Sequence, residues 1–73
     1  MAKLTGKQAN AIEMITLYTA LATSELTVKG VTEKYDNYVW MVVYHRDQIG
    51  LKVAPYMREI ANQYWEKTQQ AVA

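Results

Sequence analysis

The sequence predicts an all-α fold, a small single domain of three main helices. Apolar residues recur at helical spacing in three segments, and glycine or proline separates the later segments from one another. A chain of 73 residues has room for only one domain. Residues 1–73 are therefore interpreted as one helical domain, with frayed ends expected at 1–4 and 70–73.

The first helix is expected over about residues 6–24. It is expected to begin with a capping box, Thr5-Gly6-Lys7-Gln8, in which the side chains of the N-cap Thr5 and of Gln8 satisfy free backbone amides. Two apolar stripes follow, with members Ala11, Ile12, Ile15, Tyr18, Ala22 and Leu26 in one and Met14, Leu17 and Leu21 in the other. Because apolar residues cover much of its circumference, this helix is expected to be central and covered on two sides. In residues 24–34, Ser24, Thr27, Gly30 and Thr32 are expected to interrupt it.

The second helix is expected over residues 33–49, with Thr32 as its N-cap. Its buried stripe is predicted from helical spacing to contain Tyr35, Tyr38, Val39, Val42 and Ile49. Trp40 and Tyr44 then point roughly to the opposite face. The run YVWMVVY also has high β propensity, so an α+β fold with a hairpin near residues 26–44 is the alternative.

The third helix is expected over about residues 54–69. Gly50 suits the left-handed position that ends the second helix, and Pro55 suits a first helical turn. The predicted apolar stripe consists of Val53, Tyr56, Met57, Ile60, Ala61 and Tyr64. Trp65 lies at the margin of this stripe, beside Arg58.

Composition argues against several function classes. The chain has no cysteine and one histidine, so disulfides, thiolate sites and a histidine-rich zinc site are excluded, and no cofactor or metal is expected. His45-Arg46-Asp47 is interpreted as a solvated helix end, and the carboxylates are scattered singly, so no catalytic residue and no enzymatic activity are predicted. No signal peptide or membrane span is seen.

Aromatic content points instead to protein binding. The chain has six tyrosines, two tryptophans and no phenylalanine, which is more ring surface than a domain this small is expected to hide. Aromatic residues and arginine dominate interface hot spots. Two partner-binding patches are predicted, one formed by Trp40, Tyr44, His45 and Arg46, and the other by Arg58 and Trp65. Trp40→Ala is expected to leave the chain folded and to abolish partner binding.

The full-length chain, which opens MAKLTGKQANAIEM and carries YVWMVVYHRDQIG, resembles the small transcription regulators of lytic Xanthomonas phages. The resemblance implies a protein that binds host RNA polymerase at the N-terminal region of β′ and the neighbouring β flap. It implies inhibition of σ-dependent initiation, promotion of antitermination and a location in the host bacterial cytoplasm. It assigns no functional residue, because no shared motif is matched position by position.

Two other functions stay open. Residues 33–69 have the outline of a helix-turn-helix, so a small DNA-binding regulator is the alternative. A net charge of +1 argues against it, because phosphate binding usually requires a clear basic excess. A structural component that self-associates is conceivable, although a monomer without direct sequence-specific DNA binding is expected.

Overall fold

The computed structural model describes residues 4–72, and the predicted all-α fold is confirmed over that range. Three helices follow one another: α1 (Gly6–Val28), α2 (Glu33–Gln48) and α3 (Pro55–Val72). No strand occurs among these residues, so the alternative hairpin over 26–44 is wrong. The predicted tail over 70–73 is helical as far as Val72, and the end expected to fray at 1–4 lies mostly outside the described residues.

The beginning of α1 is the predicted capping box. The Gln8 amide donates to the Thr5 hydroxyl at 3.1 Å, and the Thr5 amide donates to the Gln8 side-chain oxygen at 3.0 Å. The helix continues past residue 24, where it was expected to end. Hydroxyls of Thr23 and Thr27 donate to the carbonyls one turn earlier, so these residues are accommodated inside the helix. The helix ends before Gly30, whose φ of 87° is left-handed.

The turn between α1 and α2 is fixed by one threonine. The Thr32 hydroxyl accepts the Tyr35 amide at 3.1 Å, as the predicted N-cap requires, and it donates to the Glu25 carboxylate at 2.6 Å. This side chain therefore caps α2 and also joins its start to the last turns of α1.

The end of α2 is a Schellman motif. Gly50 has a φ of 74°, as predicted for a left-handed C′ residue. The Leu51 amide donates to the Arg46 carbonyl at 2.9 Å, and the Gly50 amide donates to the Asp47 carbonyl at 3.3 Å. Both bonds satisfy carbonyls that the helix leaves free. Six residues, 49–54, separate α2 from Pro55, which begins α3 as predicted.

The central helix is α2 and not α1, which corrects the sequence-based expectation. Within residues 4–72, α1 and α3 each pack on α2 and do not pack on each other. The physical reason is the run Tyr38–Tyr44, in which apolar residues cover the whole circumference of α2. On α1, by contrast, Ile12 and Leu26 of the predicted buried stripe are exposed.

Among the described residues, the buried core contains small apolar side chains and one histidine. Its members are Ala11, Ala22, Val39, Val42, Val43, Ala61 and His45. The larger apolar side chains lie around this core, half-buried or exposed. The Cα radius of gyration is 13.3 Å, whereas a compact chain of this length has one of about 11 Å. The three helices therefore form an open arrangement.

Shortening Val42 tests the central position of α2. Val42 is the largest fully buried side chain, so Val42→Ala is expected to lower the free energy of unfolding by about 2 kcal/mol. Val31→Ala is the matched control, because Val31 is 71% exposed, and its effect is expected to stay within about 0.5 kcal/mol. Urea unfolding followed by circular dichroism measures both. Equal effects would contradict the assigned core.

Candidate protein-docking surface

Three aromatic rings stack across α2 and α3. Tyr44 and Trp40 are four residues apart on α2 and are therefore neighbours on its surface. Their ring centroids are 5.3 Å apart with an interplanar angle of 17°. Trp65 of α3 continues the series, with its ring 5.5 Å from that of Trp40 and inclined by 10°. We call Tyr44, Trp40 and Trp65 the aromatic stack.

The two outer rings of the aromatic stack are open to solvent. Tyr44 is 46% exposed and Trp65 is 47% exposed, whereas Trp40 between them is half-buried. Tyr64, with its ring 6.4 Å from that of Trp40, supports the stack from the side of α3. Because exposed ring surface is unfavourable in water at about 25 cal/mol per Å², a partner that covers the stack gains binding energy.

The structure joins the two predicted patches at one point. Trp40 comes from the first patch and Trp65 from the second, and their direct stacking makes one continuous surface. Trp40 packs toward α3 and the core, so it is not free on an outer face of α2. Trp40→Ala would therefore remove packing as well as partner surface. Tyr44 and Trp65 are the better probes of binding.

His45 lies in the core, which corrects its prediction as part of a solvated helix end. It is 8% exposed and stacks on Tyr18 of α1, with centroids 6.5 Å apart and an angle of 14°. The Tyr44 ring meets it edge-on at 5.2 Å. On α2, His45 is three residues after Val42 and seven after Tyr38, so it continues the face that packs on α1. A partner cannot reach this side chain directly.

Arg46 stabilises the link after α2. Its guanidinium donates to the Lys52 carbonyl at 2.8 Å, and its Nε is buried without a hydrogen-bond partner among the described residues. The side chain is half-buried. Of the predicted patch members, His45 and Arg46 are thus engaged inside the protein, while Tyr44 remains available.

Arg58 forms a bidentate ion pair with Asp47. The two guanidinium–carboxylate distances are 3.0 and 2.6 Å, and the pair joins the first turn of α3 to the last turn of α2. The hydrogen bond from Arg58 holds the pKa of Asp47 below its ordinary value; burial acts in the opposite direction, and the positive charge of Arg58 lowers the pKa further. The same hydrogen bond raises the pKa of Arg58. Arg58 therefore helps to hold α3 where Trp65 meets Trp40.

Three contributors to this surface escaped prediction. Tyr64 was assigned only to the apolar stripe of α3, although its ring also supports Trp40. Asp47 and Lys52 were given no role in the patch, and they hold the two arginines. Asp47 and Arg58 are eleven residues apart in different helices, so no local spacing indicates their pairing.

Residues 4–72 were searched for metal-binding clusters and for membrane-spanning helices. No group of three or more histidine, cysteine, aspartate and glutamate side chains is placed to hold a metal ion. None of the helices in this range combines the length and apolar character needed to cross a membrane.

Comparison with known proteins adds no further assignment. The chain matches no protein-family model, no curated protein and no solved structure.

The Asp47–Arg58 pair makes stability depend on pH in acid. Because the pKa of Asp47 is lowered in the folded protein, the pair contributes fully above the ordinary value of 3.8. The contribution is lost as pH falls from there through the lowered pKa. The free-energy difference between the natural protein and Asp47→Asn is expected to be constant above about pH 5 and to vanish in stronger acid.

Urea unfolding at a series of pH values measures this difference, and added salt should reduce it because the pair is exposed. Glu59→Gln is the control, an exposed carboxylate of α3 outside the pair. A free-energy difference between the natural protein and Asp47→Asn that grows as pH falls would contradict a stabilising Asp47–Arg58 ion pair.

Proposed function

We propose that this chain is a non-enzymatic docking protein whose contact surface is the aromatic stack. The observation that carries the proposal is the pair of half-exposed outer rings, Tyr44 and Trp65, held on either side of Trp40. Tyrosine and tryptophan are typical hot-spot residues, because they offer large contact area with few rotatable bonds. The stack joins two helices, so it presents this area in an ordered arrangement before any partner arrives.

The partner we propose is host bacterial RNA polymerase, at the N-terminal region of β′ and the β flap. The resemblance to phage transcription regulators supports this choice. A standard interface takes about 800 Å² from each partner, a modest part of the 5476 Å² that this chain exposes. A protein bound over a surface that σ also uses would displace σ by steric competition. Antitermination would follow from continued binding to the elongating enzyme.

The alternative, a helix-turn-helix DNA-binding regulator, has less support. The arginine best placed for phosphate binding, Arg58, is already paired with Asp47. Exposed Glu59 and Glu66 lie on the same helix and would repel phosphates. The six residues between α2 and α3 also exceed the three or four residues of a typical helix-turn-helix.

Binding to purified bacterial core RNA polymerase tests the proposal. Trp65→Ala is expected to weaken binding at least about 30-fold, which corresponds to the hot-spot threshold of about 2 kcal/mol. Leu17→Ala is the matched control, because Leu17 is 48% exposed on α1, away from the stack, and its affinity should not change. Biolayer interferometry gives the affinities, and circular dichroism verifies that both variants are folded.

Two results would count against this function. A folded Trp65→Ala protein that binds polymerase as tightly as the natural chain would remove the stack from the interface. Binding to DNA alone, with an affinity that falls steeply as salt rises, would favour the helix-turn-helix alternative.

A further inference from the structure

His45 is an ionisable side chain inside the contact between α1 and α2. It is 8% exposed, and its ring stacks on that of Tyr18 of α1, with centroids 6.5 Å apart. It is also the only histidine in the chain. Histidine is the side chain whose charge ordinarily changes between pH 5 and 8. A group that responds to mild acid therefore lies where an outer helix meets the central helix.

One ring nitrogen of His45 is enclosed without a hydrogen-bond partner. Its Nδ1 is shielded from solvent, and no group among the described residues pairs with it. Neutral imidazole carries one N–H, so Nδ1 can remain a bare acceptor, whereas the cation carries an N–H on both nitrogens. Protonation of the buried ring would thus create a charged donor with nothing to accept its hydrogen bond, which is costly.

The nearby carboxylates are already engaged by other groups. Asp47, two residues after His45 on α2, forms its ion pair with Arg58 of α3. Glu25 of α1 accepts a hydrogen bond from Thr32, which is thirteen residues before His45 and therefore about 20 Å away along α2. Within residues 4–72 no ion pair involves His45. A positive charge on the buried ring would therefore not be compensated by a neighbouring anion.

The two tyrosine rings beside His45 do not provide a site for a cation. A ring face attracts a cation within about 6 Å of its centroid, and the Tyr18 ring is farther away, at 6.5 Å. Tyr44 meets His45 edge-on, and the edge of an aromatic ring carries positive partial charge. The contact made by His45 is thus suited to the neutral ring.

The end of α2 adds little attraction for a positive charge. Free carbonyls at a helix end favour cations, but two carbonyls of this end already accept the amides of Gly50 and Leu51. Arg46, the next residue, adds a like charge. The other charged side chains of the first half of α1 and of the link after α2 are Lys7, Glu13 and Lys52, all exposed. Exposed charges are screened by solvent and salt.

We propose that His45 is a pH-sensitive latch, which holds α1 on α2 while its ring is neutral and releases α1 when the ring is protonated in mild acid. Within residues 4–72, α1 packs on α2 and not on α3, so this contact belongs to its one attachment. The released form takes up the proton more readily, so proton uptake favours release. The attachment is therefore lost as pH falls below about 6.5, where a free histidine becomes charged. This property goes beyond the proposed function and needs no partner.

Amide hydrogen exchange at pH 7.5 and pH 5.5, corrected for the intrinsic effect of pH on exchange, tests the latch. Protection of the α1 amides around Tyr18 is expected to fall about tenfold at pH 5.5, because a free histidine is there about ten times more often charged than neutral. Amides of α3 should lose less than about threefold. The Asp47–Arg58 pair is complete at both pH values and does not contribute.

His45→Phe is the matched variant, because it keeps a ring against Tyr18 and cannot take up a proton. Its α1 protection is expected to be the same at both pH values. The terminal amine also ionises near neutral pH, but it is identical in the two proteins. A pH effect seen only in the natural chain therefore belongs to His45. Circular dichroism verifies that the variant is folded.

A second measurement needs no variant. Nitrogen chemical shifts report the charge of the His45 ring, and nuclear Overhauser effects report its contact with Tyr18. The ring that contacts Tyr18 is expected to show the shifts of neutral imidazole at pH 5.5.

Four results would overturn the latch. They are unchanged α1 protection at pH 5.5, the same loss in folded His45→Phe, a protonated His45 ring that keeps its contact with Tyr18, and an equal loss of protection in α3. The last would show unfolding of the whole chain instead of release of α1. Polymerase is absent from these measurements, so none of the results bears on binding through the aromatic stack.

Discussion

The valine stripe of α2 is the constraint on which the rest of the structure depends. Val39 and Val43 of this stripe form one buried cluster with Ala22 of α1 and Ala61 of α3, and Val42 of the same stripe is also fully buried. Both outer helices pack on α2. Alanines at these positions let the helix backbones approach closely. Since the described backbones of α1 and α3 approach that of α2 and not each other, any loss of this stripe would affect the placement of both.

A core of alanine and valine leaves the large side chains outside it. The tyrosine and tryptophan rings surround the core, and the capping and ion-pair contacts at the ends of α2 hold them in position. The exposed surface of 5476 Å² exceeds the roughly 4,600 Å² of a compact protein of this mass. In our account this excess is what a partner covers at the aromatic stack.

Local signals in the sequence predicted the fold well. Thr5, Thr32, Gly50 and Pro55 act on backbone groups within a few residues, so their roles could be predicted from spacing alone. Which helix is central could not be predicted in this way, because it depends on which helix has other helices packed on two of its sides. His45 follows the buried face of α2, yet its charged neighbours Arg46 and Asp47 suggested exposure. The stacking of Trp40 on Trp65 joins distant segments, and only the folded chain brings them together.

Collisional quenching of tryptophan fluorescence tests the central claim most directly, namely that ring surface remains open in the free monomer. Trp40→Phe leaves Trp65 as the only indole, and Trp65→Phe leaves Trp40. Our account predicts strong acrylamide quenching and red-shifted emission from Trp65, with weaker quenching of Trp40, at concentrations where sedimentation shows a monomer. Blue emission with negligible quenching from both indoles would contradict it.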